Sequence, residues 1–365
     1  MQQLDNFEQG FASLPEDAKT PPREAALRHL LAKGLPSRKQ ERWKYTDLGR
    51  LNRLPPFTQA PLAASLSASL SESADGIEAI NLAFGNQGLD LTVPARAQHD
   101  QLLIANGRGH RRHHLTVCEQ ASAQLRLDTC VSDPFQTVIL DIELQAGARL
   151  ELLRVHEALA DAHHITRIRA RLARDAQLDV STLDLGAGWA RHELDVDLAA
   201  PGASVQYRGF FRVADQSFVD NHSHFDHHAA HCSSRQLMHG MAEEGGRAVF
   251  NGKVMVHRDA QKTDSDQKVA NLILSPKAEI NAKPELEIYA DDVKCAHGAT
   301  FGQIDPTALF YLRSRGLSQA QARSLLTLAF AMQPLRHIPC PDFRQTALRA
   351  AAQKLGAEID ETVLT

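Results

Sequence analysis

The chain has 365 residues, 43% of them apolar, with 44 acidic against 40 basic side chains and a net charge near −4. That length suits two or three domains with a sizeable core, and the charge balance offers nothing to a polyanion such as DNA. Five scattered cysteines without a CxxC argue against a disulfide framework. The acidic stretch MQQLDNFEQGFASLPEDAK lacks the apolar core of a signal peptide, and the densest apolar run, Leu325 to Met332, is too short to cross a bilayer. A cytoplasmic protein without a membrane span is expected.

Residues 1–76 read as a helical segment and connector. In TPPREAALRHLLAKG, Thr20 is placed to cap, Pro21 to open and Gly34 to end a helix. Ala26, Leu27, Leu30 and Leu31 recur at helical spacing. SRKQERWKYTDLGRL predicts a short helix running into a loop, and the Pro-, Ser- and Ala-rich residues 55–76 a connector.

From 77 to 303 short alternating runs replace helical spacing: TVILDIEL, RLELLRV, QLDVSTLDL, ELDVDL, SVQYRGFFRV, AVFNGKVMV and ELEIYADDV. A turn of small or polar residues precedes many of these runs, as in AGARLEL, RDAQLDV and PGASVQY. Ala148, Ala176 and Ala203 mark it at near-constant spacing. A recurring turn-plus-strand unit predicts a solenoid whose coils stack. A sandwich such as a jelly roll is the rival fold, since short strands with frequent turns describe it too.

Residues 304–365 return to helix. Asp305 and Pro306 form an N-cap and N1 pair, Ser318 and Gln321 a capping box. Ala322, Leu325, Leu326, Ala329 and Phe330 fall on one face before Pro334. Helices this short need a surface to pack on: the β core, or a partner docking at Leu309, Leu325, Leu326 and Phe330.

Cys295 and His297, in EIYADDVKCAHGATFGQID, share one face if the strand ELEIYADDV continues, with Gly298 leaving room beside them. Thiolate and imidazole suit zinc or an iron–sulfur cluster, but two ligands do not complete a site that takes four. In NHSHFDHHAAHC, His222 and His224 share a strand face, or His224, His227, His228 and His231 a helix face; a metal-dependent enzyme built on a β sandwich or barrel is the function this stretch offers. HExxH is absent. GRAVFNGKV looks like a phosphate loop but has five residues between its glycines and Val254 where a hydroxyl is required.

The runs SRQLMHGMAEEGGRAVFNGKVMV (234–256), KTDSDQKVANLILSPKAEINAKPELEIYADDVKCAHGATFGQID (262–305) and LFYLRSRGLS (309–318), with ERWKYTDL (41–48), resemble the SufD family of SUF iron–sulfur cluster assembly scaffolds. The resemblance implies a mainly β protein, a right-handed parallel β-helix between helical segments. It implies no enzyme activity, pairing with SufB through the ends of the β-helices, and recruitment of a SufC ATPase by the C-terminal helices, so that ATP is hydrolysed by a partner. It assigns His297, with Cys295 beside it, to a transient iron–sulfur cluster shared with SufB. Neither a flavin nor its absence is written in the residues, and they leave a homodimer of the isolated chain open.

Overall fold

The computed structural model describes residues 4–54, 71, 74–105, 109–131, 134–158, 161–186 and 188–357. Most of the expected connector, 55–76, lies outside the described residues. The sixteen described strands pair only in parallel, in two eight-stranded sheets. The first holds β1 (Gly85–Val93), β3 (His110–Val117), β5 (Phe135–Leu144), β7 (His163–Leu172), β9 (Trp189–Leu198), β11 (Phe218–His227), β13 (Arg247–Val256) and β15 (Glu279–Ile288). The second holds β2 (Gln98–Ala105), β4 (Ser122–Val131), β6 (Arg149–Ala158), β8 (Gln177–Asp184), β10 (Ser204–Val213), β12 (Ser233–Ala242), β14 (Asp264–Ile273) and β16 (Lys294–Gly302). Chain order alternates between the sheets, so two strands make one coil. The protein is mainly β, a parallel β-helix flanked by helices. A jelly roll is antiparallel and is ruled out.

The recurring turn is the corner from first sheet to second. Arg96, Gln120, Gly147, Asp175, Gly202, His231 and Lys262 stack there, all left-handed with φ of 56–79°. Each donates its N–H to the corresponding corner of the next coil, as Gln120 does to the Ala146 carbonyl at 2.9 Å and His231 to that of Gln261 at 2.9 Å. The next residue points inward and must be small: Ala121, Ala148, Ala176, Ala203, Cys232 and Thr263 are all buried. Above and below these corners, inward Leu, Val, Ile and Phe side chains fill the space between the sheets.

Helices cover both outer faces. α1 (Asp5–Ala12), α2 (Pro21–Lys33) and α3 (Gly76–Phe84) share a core with Phe135, Ile165 and Trp189 on the first sheet. α3 departs from the expectation of strands alone after residue 77. Its nine residues are all buried, so it carries no polar stripe to betray helical periodicity. ERWKYT becomes the short helix Glu41–Trp43 and a turn. The Trp43 ring lies 3.9 Å from the Arg191 guanidinium, and Arg191 also pairs with Glu193 at 2.8 Å and Asp220 at 2.5 Å. Burial alone would raise the Glu193 carboxyl, but the guanidiniums of Arg167, Arg191 and Arg42 hold it well below the carboxylate range.

α4 (Pro306–Ser314), α5 (Gln319–Leu335) and α6 (Pro341–Lys354) follow the β-helix. Ala331, Leu335, Phe343, Ala347 and Ala351 pack on Leu153, Leu183, Phe210 and Met241 of the second sheet. The buried face of α5 is Ala322, Thr327, Leu328, Ala331 and Leu335, turned from the stripe expected through Leu325 and Ala329. Pro334 lies inside the helix, one residue before its end.

Candidate functional site

The last coil is open. β16 pairs with β14 on one side only, and all of it except Cys295 is exposed. In register, Cys295 follows Ser265 and His297 follows Gln267. Ser265 and Gln267 point into the core, so Cys295 and His297 share the inward face, ~7 Å apart along the strand. Among the described residues no further coil covers them. Cys295 is half-buried against the core and His297 exposed at the mouth of the β-helix. A Cβ at Gly298 would meet nothing within 4 Å, so a second chain or a cluster can approach closely.

Two polar files run through the interior to these side chains. One is Ser234, Ser265, Cys295; the other is Gln236, Gln267, His297. Ser234 bonds Ser265 at 2.8 Å and lies 3.0 Å from the His227 ring. Ser223 donates to Gln236 at 3.0 Å. Gln267 is fully buried, and its amide has no hydrogen-bond partner at either end. Gly252 makes room for both glutamines, since a Cβ there would lie 2.9 Å from the Gln236 amide oxygen. This glycine, which gives GRAVFNGKV its look of a phosphate loop, sits inside strand β13.

Burial pushes the Cys295 thiol up and Asp264 adds to the effect, against a backbone hydrogen bond from Ser265. The thiol is therefore protonated near neutrality. It becomes a thiolate ligand when a cation arrives to displace the proton.

The histidine-rich stretch does not gather one set of ligands. His222 and His224 lie on the outer face of β11, as strand alternation predicts, 2.9 Å from Asp220 and 3.5 Å from Asp226 respectively. His227 points into the core, where burial takes it down to about 4. His228 starts the next corner and His231 occupies the left-handed corner position. The four-histidine helix face is corrected: the segment is strand then turn.

Of the expected docking residues, Leu309 and Leu326 are half-buried and Leu325 is 43% exposed. Phe330 faces the β core: its ring stacks on His239 at 4.3 Å, and its carbonyl accepts from His239 Nδ1 at 2.8 Å. Among the described residues of the terminal helices, the exposed aromatics are instead Phe310 at 73% and Tyr311 at 56%, on α4, which buries no residue.

Sequence reasoning also missed a group of three imidazoles between the sheets. His156, His164 and His192 have ring centroids 4.8–5.7 Å apart beside the buried pair Arg154–Asp184. Burial pushes His156 down to about 4 and His164 and His192 well below the usual imidazole range. These rings are neutral and structural. The only signal in the sequence is their inward place in alternating strands.

The family description "SUF system FeS cluster assembly, SufBD core domain" matches residues 94–330. The chain is 30% identical to the iron-sulfur cluster assembly protein SufD of Escherichia coli, over 92% of this chain and 93% of that protein. It is 36% identical to a SufBD family protein of Synechocystis over 56% of this chain and 45% of the relative, and 30% identical to the chloroplastic protein ABCI7 of Arabidopsis thaliana over 57% and 44%. No described helix is long and apolar enough to cross a membrane. A parallel β-helix with helices on both faces, and this breadth of similarity, make the chain a member of the SufBD family of iron–sulfur cluster assembly proteins.

Proposed function

We propose that the chain is a non-catalytic scaffold subunit that pairs with a SufB subunit through the last coil of its β-helix, in the cytoplasm. The nascent iron–sulfur cluster is cargo at that junction, with His297 and Cys295 supplying part of its ligands and SufB the rest. The exposed aromatics of α4, with Leu309 and Leu325 nearby, recruit a SufC ATPase.

The observation that carries this reading is the mouth of the β-helix. An inward-facing thiol and imidazole are left uncovered on a strand with a free edge, and such an edge is a template for another chain. The ligand set is half of what a cluster takes. Imidazole holds iron less firmly than thiolate, which suits a site that releases its product. Movement of α4 by the ATPase would reach the mouth directly, because three residues separate β16 from that helix.

The test is His297→Ala in the chain co-expressed with SufB and SufC. The complex should form with normal stoichiometry and carry less iron and sulfide per complex. Unchanged cluster yield would remove the ligand role while leaving the pairing intact.

A further inference from the structure

We propose a divalent transition-metal site on the outer rim of the first sheet, formed by Asp226, His228 and His257. It is built at the ends of β11 and β13, not on the strand that carries Cys295 and His297, and depends neither on the cluster nor on a partner.

The solenoid builds this site by repetition. His228 and His257 are the first residues after β11 and β13, at equivalent corners of successive coils. The His228 N–H bonds the Leu198 carbonyl at 3.2 Å and the His257 N–H the His227 carbonyl at 3.0 Å. This stacking sets one imidazole over the other, with ring centroids 4.3 Å apart and planes 13° from parallel. The carboxylates repeat as well. Asp226 on β11 is in register with Asp197 on β9. His257 Nε2 lies 3.2 Å from Asp226 Oδ1, and His228 Nε2 3.2 Å from Asp197 Oδ1.

Ligand atoms of Asp226, His228 and His257 all lie within 4.8 Å of one another. Around a zinc-sized ion with bonds near ~2.1 Å, tetrahedral ligand atoms sit ~3.4 Å apart. The three side chains are exposed or half-buried at the surface, which leaves them free to rotate towards an ion. Two further polar atoms beside the triad lack partners. Asp197 Oδ1 and His224 Nε2 are buried and make no hydrogen bond. Each is within 3.5 Å of a member of the triad, although neither contact has the geometry of a bond. A cation bound among the triad would use Asp197 Oδ1 as its nearest further donor. Two imidazoles and a carboxylate select zinc, ferrous iron or cobalt over magnesium or calcium. The site opens onto a charged groove along the first sheet, lined in part by Asp195, Asp197, His224 and Asp226, so an ion can enter from solvent. Arg171 competes for Asp197 from the neighbouring strand, and Lys253 is engaged by Glu287 at 2.9 Å.

The experiment titrates the untagged full chain with Co²⁺, read by its visible ligand-field bands, and with Zn²⁺ by calorimetry. One equivalent should bind, with cobalt bands in the range of a four- or five-coordinate nitrogen and oxygen site. His228→Ala and His257→Ala should each weaken binding at least ~10-fold. Both residues sit at corners, His228 exposed and His257 half-buried, so the fold should survive, as circular dichroism would confirm. His231→Ala, at the neighbouring corner position, and a Cys295→Ala/His297→Ala chain should bind as the parent does. Equal affinity in the His228→Ala/His257→Ala double variant, or loss of the ion in the Cys295→Ala/His297→Ala chain, would overturn the proposal. So would magnesium displacing zinc at equal concentration.

Discussion

Lowering the pH from 7 to 5 should destabilise the β-helix strongly, and the effect follows from its buried histidines. Burial pushes His110 to about 3 and His113, His156 and His227 to about 4, with Arg111 adding to the effect at His113 and the Asp184 and Asp226 carboxylates opposing it at His156 and His227. In the unfolded chain each titrates near ~6.5. The folded pKa is the lower one, so the unfolded state binds more protons and stability rises with pH. Above pH ~7 the four groups cost nothing; their contribution is lost as pH falls from ~6.5 towards about 4. Between pH 7 and 5 each group forfeits about 2 kcal/mol at ~1.4 kcal/mol per pKa unit. The four together approach ~8 kcal/mol, which rivals the whole stability of an ordinary domain. Buried Glu193, held down by its guanidiniums against its own burial, acts in the same direction only below the carboxylate range, while Glu151 and Asp179, whose carboxyls burial pushes up, act in the opposite direction. The assay is the urea midpoint at pH 7, 6 and 5, by circular dichroism. The midpoint should fall steeply, and His156→Gln should flatten the slope by about one proton. A midpoint that holds constant across the window would mean that these rings already carry protons in the folded chain, and the account of a neutral interior would be wrong.

Two further outcomes separate docking from packing. Phe310→Ser with Tyr311→Ser should leave thermal stability within ~0.5 kcal/mol, because both rings are exposed, yet should abolish co-purification of the ATPase partner; Phe330→Ser should instead destabilise the chain, since its ring stacks on His239. Trp43→Ala should cost ~3–5 kcal/mol by chemical denaturation, because the ring is 4% exposed and covers the buried Arg191.

How much of this was legible depends on what each residue has to satisfy. The corner alanines Ala148, Ala176 and Ala203 announce the coil because a small inward residue must follow each left-handed position. Cys232 and Thr263 fill the same column, but they do not read as alanine, and longer corners stretch the spacing, so the repeat fades late in the sequence. α3 was invisible because a helix buried on every side has no amphipathic signature. In α5 the run LLTLAFAM carries two overlapping apolar stripes. Only the close approach of Ala331 and Leu335 to the second sheet decides between them. The pairing of Cys295 with His297 needed nothing beyond strand alternation. That they stand at an open end could not be read, because an end is a property of what fails to follow. The Asp226, His228 and His257 group joins residues from two coils, and no local pattern connects them.

The two mouths of the β-helix differ in chemistry, and the difference argues for which one meets the cluster partner. At the first mouth, Leu91 and Leu102 are half-buried and Ile104 is buried, with Leu89 44% exposed, and exposed His99 stands in register with the inward Ala123. The column beneath His99 runs through Ala123, Leu150 and Leu178, with no hydroxyl or amide in it. At the last mouth the serine and glutamine files continue the polarity inward from Cys295 and His297, so a charged group at the surface is solvated from behind by buried hydroxyls and amides. Removing that support tests the idea. Gln267→Leu keeps the volume and deletes an amide that lacks partners in the free chain, so the isolated chain should be as stable or more so. In the complex with SufB, the same substitution should lower iron retention, because His297 loses the polar group beneath it. Full iron retention by the Gln267→Leu complex would show that the interior files serve folding alone.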